Sequence, residues 1–110
     1  VRARDRSMVG HLAERALEDV VLDKVFLGVA GISSDVGLTA YSLEDALVKR
    51  VMLKRTREAI VVTDSSKFGK TAFAAITPLK NVTRLITDSR VTQEQLEMFR
   101  VHGVDVIIAQ

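Results

Sequence analysis

The segment Ile60–Phe73 reads IVVTDSSKFGKTAF, and it decides the class of fold. Ile60, Val61 and Val62 are apolar and β-branched, and the chain then passes abruptly into an acid, two hydroxyls, a lysine and a glycine. A short, wholly apolar run bounded in this way is a buried strand. Its polar end delivers Asp64, Ser65, Ser66 and Lys67 onto one edge of a sheet. In open α/β sheets that edge is where ligands bind.

Upstream, Ser42 starts the clearest helix. Ser42-Leu43-Glu44-Asp45 has capping-box spacing, with acids in the first turn. Leu43, Ala46, Leu47, Val51 and Met52 give the apolar spacing, widened by Val48 and Leu53, and Lys54, Arg55 and Arg57 close the last turns. Before it, Lys24–Ala30 (KVFLGVA) reads as a buried strand and Ile32–Tyr41 as a loop rich in turn residues. Strand, helix and strand make a βαβ unit, so the two strands are expected to be parallel, with a right-handed connection. Their carboxyl ends then share an edge, and the loop from Gly31 to Thr39 faces the loop from Asp64 to Gly69. Further upstream, an apolar stripe from Leu12 to Val20 predicts a helix opening at Ser7.

Downstream, Thr71–Ile76 reads as a short strand or an irregular return, ended by Pro78. Arg84–Thr87 is a third core strand. Thr92 and Gln95 have capping-box spacing, Val91 and Leu96 staple spacing, and Gly103 suits the position after the helix. Val104–Ala109 is the last strand. The order predicts a layered α/β domain, mostly parallel, with helices on both faces of the sheet.

The chain is long enough for one domain or part of one: 110 residues, 47% of them apolar and 27% charged. Starting at Val1 and ending after an apolar run, it reads as a fragment of a longer protein. It has no cysteine, which removes disulfides and thiol catalysis and fits a cytosolic setting. No run approaches the ~18 apolar residues of a membrane helix. The net charge of +2 neither demands nor opposes nucleic acid. The basic residues between Lys49 and Arg57 are spread around their helix and read as a solvated face.

For chemistry, Asp64, Ser65, Ser66 and Lys67 form the sharpest set. Two hydroxyls, exposed backbone N–H groups and an ammonium suit a phosphate, while the carboxylate suits sugar hydroxyls. Spacing alone leaves this reading level with a solvent-facing turn. Gly28 to Gly31 lacks the full dinucleotide fingerprint. No histidine, cysteine or acid pair stands at metal-ligand spacing, so neither a metal nor another cofactor is expected.

Three stretches, Asp23–Ser33 (DKVFLGVAGIS), Gly37–Met52 (GLTAYSLEDALVKRVM) and Val61–Lys70 (VVTDSSKFGK), followed by Pro78–Asp88 (PLKNVTRLITD), closely resemble the C-terminal effector domain of DeoR-family transcription regulators. The resemblance runs from about Ser7 onward. It implies a fold like that of ribose-5-phosphate isomerases and CoA transferases, and a sensor that binds a phosphorylated sugar or related metabolite and thereby changes DNA affinity. Carried over by position, the effector-binding residues are Asp64, Ser65, Ser66, Lys67 and Phe68, with Gly31, Gly37 and Thr39 opposite; Lys49 and Arg50 match the helix signature and are read as structural. Ala30 stands where such proteins often carry a polar residue. The family's N-terminal winged helix-turn-helix, through which DNA would be bound, and the opening strands of its sensor domain are not in this chain. Homo-oligomers are common in the family. The fold also raises an isomerase-like enzyme or an oligomerisation module as alternatives. Isomerisation needs a positioned general base, and the strand ending Val29-Ala30-Gly31 lacks the acids of the isomerases, so binding without turnover is the expectation.

Overall fold

A computed structural model describes Leu12, Arg15 and residues 20–109. The helix expected from Ser7 lies essentially outside these residues. The elements in order are β1 (Leu22–Leu27), β2 (Gly31–Ser33), β3 (Gly37–Ala40), α1 (Leu43–Arg55), β4 (Thr56–Val62), β5 (Ala74–Thr77), β6 (Arg84–Asp88), α2 (Gln93–Arg100) and β7 (Asp105–Ala109). Short 3-10 turns cover Ser65–Lys67 and Leu79–Asn81. The result is a mixed α/β domain whose strands are mostly parallel and whose central sheet is flanked by a small antiparallel one.

The central sheet is parallel throughout, in the order β1-β4-β6-β7. Helices on both faces were expected; instead each connection steps the same way, and right-handed crossovers in such an order put the two described helices on one side. Ala46 of α1 and Phe99 of α2 accordingly join the same core cluster as Val61 and Leu85, which pair across β4 and β6. On the opposite side of the sheet Phe26, Val62 and Ile107 are large and exposed among the described residues. The strand at Lys24–Ala30 was expected to be buried; β1 instead buries only Val25 and Leu27 and leaves Phe26 65% exposed. It is an edge strand of the described sheet, paired on one side only.

The stretch Ile32–Tyr41, expected to be a loop, is the hairpin β2–β3, which with β5 forms a second, antiparallel sheet. Its strands are three and four residues long, too short for an alternating pattern to stand out from turn residues. The Ser33 hydroxyl accepts from the Val36 N–H at 3.1 Å inside the turn, and Gly37 then enters β3 at φ +94°. A side chain at Gly37 would also collide with the Thr77 carbonyl and lie 2.8 Å from the Pro78 Cα. This glycine lets the two strands meet.

Helix α1 is capped by Ser42, whose hydroxyl accepts from the Asp45 N–H at 3.1 Å. The reciprocal half of the capping box is replaced: the Asp45 carboxylate pairs with Lys49 at 2.9 Å. The helix ends at Arg55, and Arg57 lies in β4 instead of the last helical turn. The helix packs against β3 and β5 of the small sheet and against β1 and β4 of the large one, which accounts for its wide apolar face. Two of its basic residues are structural, as expected. Lys49 Nζ donates to the Gly28 carbonyl at 2.5 Å, and Arg50 donates to the Ala75 carbonyl through Nε at 3.0 Å and Nη2 at 2.5 Å.

The second helix matches the sequence closely. Thr92 and Gln95 form the complete capping box, at 3.1 and 3.0 Å. The Gly103 and Val104 N–H groups return to the Arg100 and Phe99 carbonyls with Gly103 at φ +76°, a Schellman ending.

Two substitutions check this packing by urea denaturation. Gly37→Ala combines a left-handed backbone with a backbone clash and is expected to cost about 2–3 kcal/mol. Thr87 is 2% exposed, and its hydroxyl has no hydrogen-bond partner among the described residues. Thr87→Val is therefore expected to be neutral or to stabilise by about 1 kcal/mol, because an unpaired buried polar group is replaced by an apolar one of the same shape.

Candidate functional site at the strand ends

The carboxyl ends of β4 and β6 bring together Asp64 and Asp88, one at the end of each of two adjacent parallel strands. Asp64 caps the 3-10 turn, accepting from the Ser66 N–H at 2.9 Å and also from the Ser66 hydroxyl. Asp88 reaches across, accepting the Ser65 N–H at 3.0 Å through Oδ2 and the Arg90 N–H at 2.9 Å through Oδ1. These donors favour the ionised forms. The Ser66 hydroxyl and N–H, helped by the Lys67 charge, hold Asp64 below the usual carboxylate range. The Ser65 and Arg90 N–H groups do the same for Asp88.

This geometry changes the chemistry expected of the loop. The sequence suggested that its backbone N–H groups would be free for a phosphate. They are occupied: Ser65 and Ser66 donate to the two carboxylates, Lys67 to the Asp64 carbonyl, Phe68 to the Ser65 carbonyl, and Gly69 to the Ile32 carbonyl at 2.8 Å. What the loop presents is a pair of ionised carboxylates and one ammonium. Lys67 Nζ forms no ion pair among the described residues and lies 5.9 Å from the centre of the Tyr41 ring.

The facing segment is where strand order places it. Ile32 bridges to Phe68 in parallel, so the hairpin and the Asp64–Gly69 loop are joined by backbone. The remaining predicted site residues point inward. Phe68 is buried, its ring 5.9 Å from that of Phe99 in an edge-on arrangement at 75°, and it anchors the loop to the core. Thr39 is fully buried, and its hydroxyl accepts the Ala72 N–H at 2.9 Å. Gly31 has no room for a Cβ beside the Lys70 carbonyl and the Thr39 hydroxyl, and Gly37 serves the strand contact described above. Asp88 is the residue that sequence reasoning passed over as part of the site. Its signal was present: an acid directly after a core strand, as Asp64 is.

Nearby lie two open clefts. One, of about 510 Å³, includes Ser33, Ser34, Gly69, Thr92, Glu94 and Gln95 in its lining. The other, of about 410 Å³, is lined by Ala30, Tyr41, Lys70, Thr71 and Ala72. No group of three or more histidines, cysteines or acids able to hold a metal occurs among the described residues.

Fold and site thus define a mixed α/β domain with a polar cluster at adjacent strand ends. The family model described as the DeoR C-terminal sensor domain matches residues 1–89, and the chain belongs to this family. Among curated relatives, it is 41% identical over 83 residues to an uncharacterized HTH-type transcriptional regulator, YulB, of Bacillus subtilis (strain 168), covering 76% of this chain and 32% of that one. It is 31% identical over 105 residues to the HTH-type transcriptional repressor GlcR of the same organism, covering 96% and 40%. It is 26% identical over 106 residues to the glycerol-3-phosphate regulon repressor of Escherichia coli (strain K12), covering 96% and 42%. The chain therefore spans only about two fifths, or less, of the length of these relatives.

The carboxylates give a pH prediction. A depressed aspartate contributes stability that is fully present above its ordinary value near 3.8 and is lost as pH falls through its lower folded value. The stability gap between the wild type and Asp88→Asn is expected to be constant from neutral pH down to about 5. It should then close as pH falls towards about 2, read from urea midpoints across that range.

Proposed function

We propose that this chain is the effector-binding part of a DNA-binding transcription regulator, sensing a phosphorylated sugar or a related metabolite. The observation that carries the reading is the cluster at the ends of β4 and β6 in a chain of this family: two ionised carboxylates suited to hydroxyls, beside an unpaired ammonium suited to an anion. Asp64 and Asp88 accept ligand hydroxyls, Lys67 meets the charged group, and the Ser65 and Ser66 hydroxyls support the loop. Relatives include a repressor of a glycerol-3-phosphate regulon, which agrees with such a ligand class. In the full protein a winged helix-turn-helix and the opening part of the sensor domain precede these residues, and DNA is bound through that missing part. The regulator works in the cytoplasm, as a homo-oligomer.

The same geometry favours binding over turnover. A general base works best with a pKa near the operating pH, and both aspartates are held the other way. The domain therefore senses its ligand and leaves it unchanged.

The test is a thermal-shift panel on the full-length protein with glycerol 3-phosphate, glucose 6-phosphate and fructose 6-phosphate, each beside its unphosphorylated parent. A cognate ligand at 100 times its Kd stabilises by about 2.7 kcal/mol. Operator affinity should change in parallel, and Asp64→Ala should abolish both effects. If no phosphorylated compound alters melting or operator binding, the proposal fails. Turnover that disappears in Asp64→Asn would support the isomerase alternative instead.

A further inference from the structure

The backbone N–H groups of Ser65 to Gly69 are spent within the fold, so an anion must be met by side chains or by other segments. Three clefts among the described residues differ in what they offer. The one beside Ser33 and Thr92 carries Glu94 and no cation. The one between α1 and β5 carries Arg50 and Lys54, but the Arg50 guanidinium is already committed to the Ala75 carbonyl. The third, lined by Ala30, Tyr41, Lys70, Thr71 and Ala72, contains no carboxylate. Its Lys70 makes no ion pair among the described residues, and the equally unpaired Lys67 stands over the Tyr41 ring on its wall.

This cleft also has a fixed frame. Ala30 follows β1 at the carboxyl edge of the sheet, the edge that carries Asp64 and Asp88. The Lys70–Ala72 segment is held from behind: the Ala72 N–H is bonded to the buried Thr39 hydroxyl, and the Lys70 carbonyl packs against Gly31 at a distance no Cβ would permit. Gly31 and Thr39 thus act by position, setting the wall on which Lys70 and Thr71 stand. A rigid wall that carries ammonium and hydroxyl donors suits a compact oxyanion.

We infer that the cleft between Ala30, Tyr41 and the Lys70–Ala72 segment is the phosphoryl subsite of the effector site. Lys67 and Lys70 supply the charge and Thr71 a hydroxyl donor, while Asp64 and Asp88 are left for the hydroxyl-bearing end of the ligand. The ligand class is a phosphate monoester of a small polyol or sugar. This rests on the sensing function proposed above.

The experiment is calorimetric titration of the full-length protein and its Lys70→Ala, Lys67→Ala and Lys54→Ala variants. The probes are glycerol 3-phosphate, glucose 6-phosphate, fructose 6-phosphate, the unphosphorylated parents and inorganic phosphate. The phosphorylated compound that binds is expected to lose about tenfold in affinity in each of Lys70→Ala and Lys67→Ala, with Lys54→Ala unchanged. Inorganic phosphate should compete with it weakly in the wild type, and more weakly still in Lys70→Ala. Lys70 is exposed, so an unaltered urea midpoint in Lys70→Ala separates lost contact from lost folding. If the wild type binds a sugar phosphate and Lys70→Ala binds it equally well, or if Lys54→Ala carries the loss, the subsite is wrong while the sensing function stands. If the wild type binds none of the probes, both fall.

Discussion

Asp88 holds the site together. Its carboxylate, at the end of β6, accepts the Ser65 N–H from the loop after β4 and the Arg90 N–H from its own turn. Two parallel strands with polar ends would otherwise release two independent loops. The bond couples them, and Phe68, packed edge-on against Phe99, fastens the far end of the same loop to the core. The loop is therefore fixed at both ends, and what faces solvent is side-chain chemistry with the backbone already satisfied. Together with the Ser66 N–H bond to Asp64, this turns a potential anion nest into a carboxylate pair and leaves lysine side chains as the cationic groups beside it.

A second consequence concerns the small sheet. Gly31 and Gly37 permit backbone contacts that any Cβ would block, and Thr39 ties β3 to the segment before β5. Lys49 and Arg50 then clamp α1 to the end of β1 and to β5 through carbonyl oxygens. Gly31, Gly37 and Thr39 look like ligand contacts when read along the chain, because glycines and a threonine flank a candidate binding edge, whereas Lys49 and Arg50 already read as structural. In space they are the frame. The open cleft beside this frame is lined by their neighbours, among them Tyr41, Lys70 and Thr71.

Much of the large sheet was legible. Long-range features with local signatures came through: the apolar run of β4, the capping box at Thr92 and Gln95, the glycine ending at Gly103, and the parallel sense of β1 and β4. What did not come through was the β2–β3 hairpin, whose strands are too short to show alternation, and the half-exposed state of β1, which follows from its place at the edge of the described sheet and not from its own residues. Within the site, residue type was readable but donor use was not. An N–H can serve a ligand or a carboxylate, and only the approach of Asp88, twenty-three residues on, decides which.

By itself, then, the sequence determined the class of domain, the family, and the polar cluster after Thr63. The class of domain and the cluster follow from local composition and spacing, which survive in one dimension, and the family from the resemblance of whole stretches such as Val61–Lys70. The tertiary structure decided that Phe68, Gly31, Gly37 and Thr39 are buried supports, that Asp88 belongs to the site, and that Lys70 stands at an open cleft with its charge uncommitted. Those depend on which groups satisfy one another across strands and sheets, a matter of contact that no spacing along the chain contains.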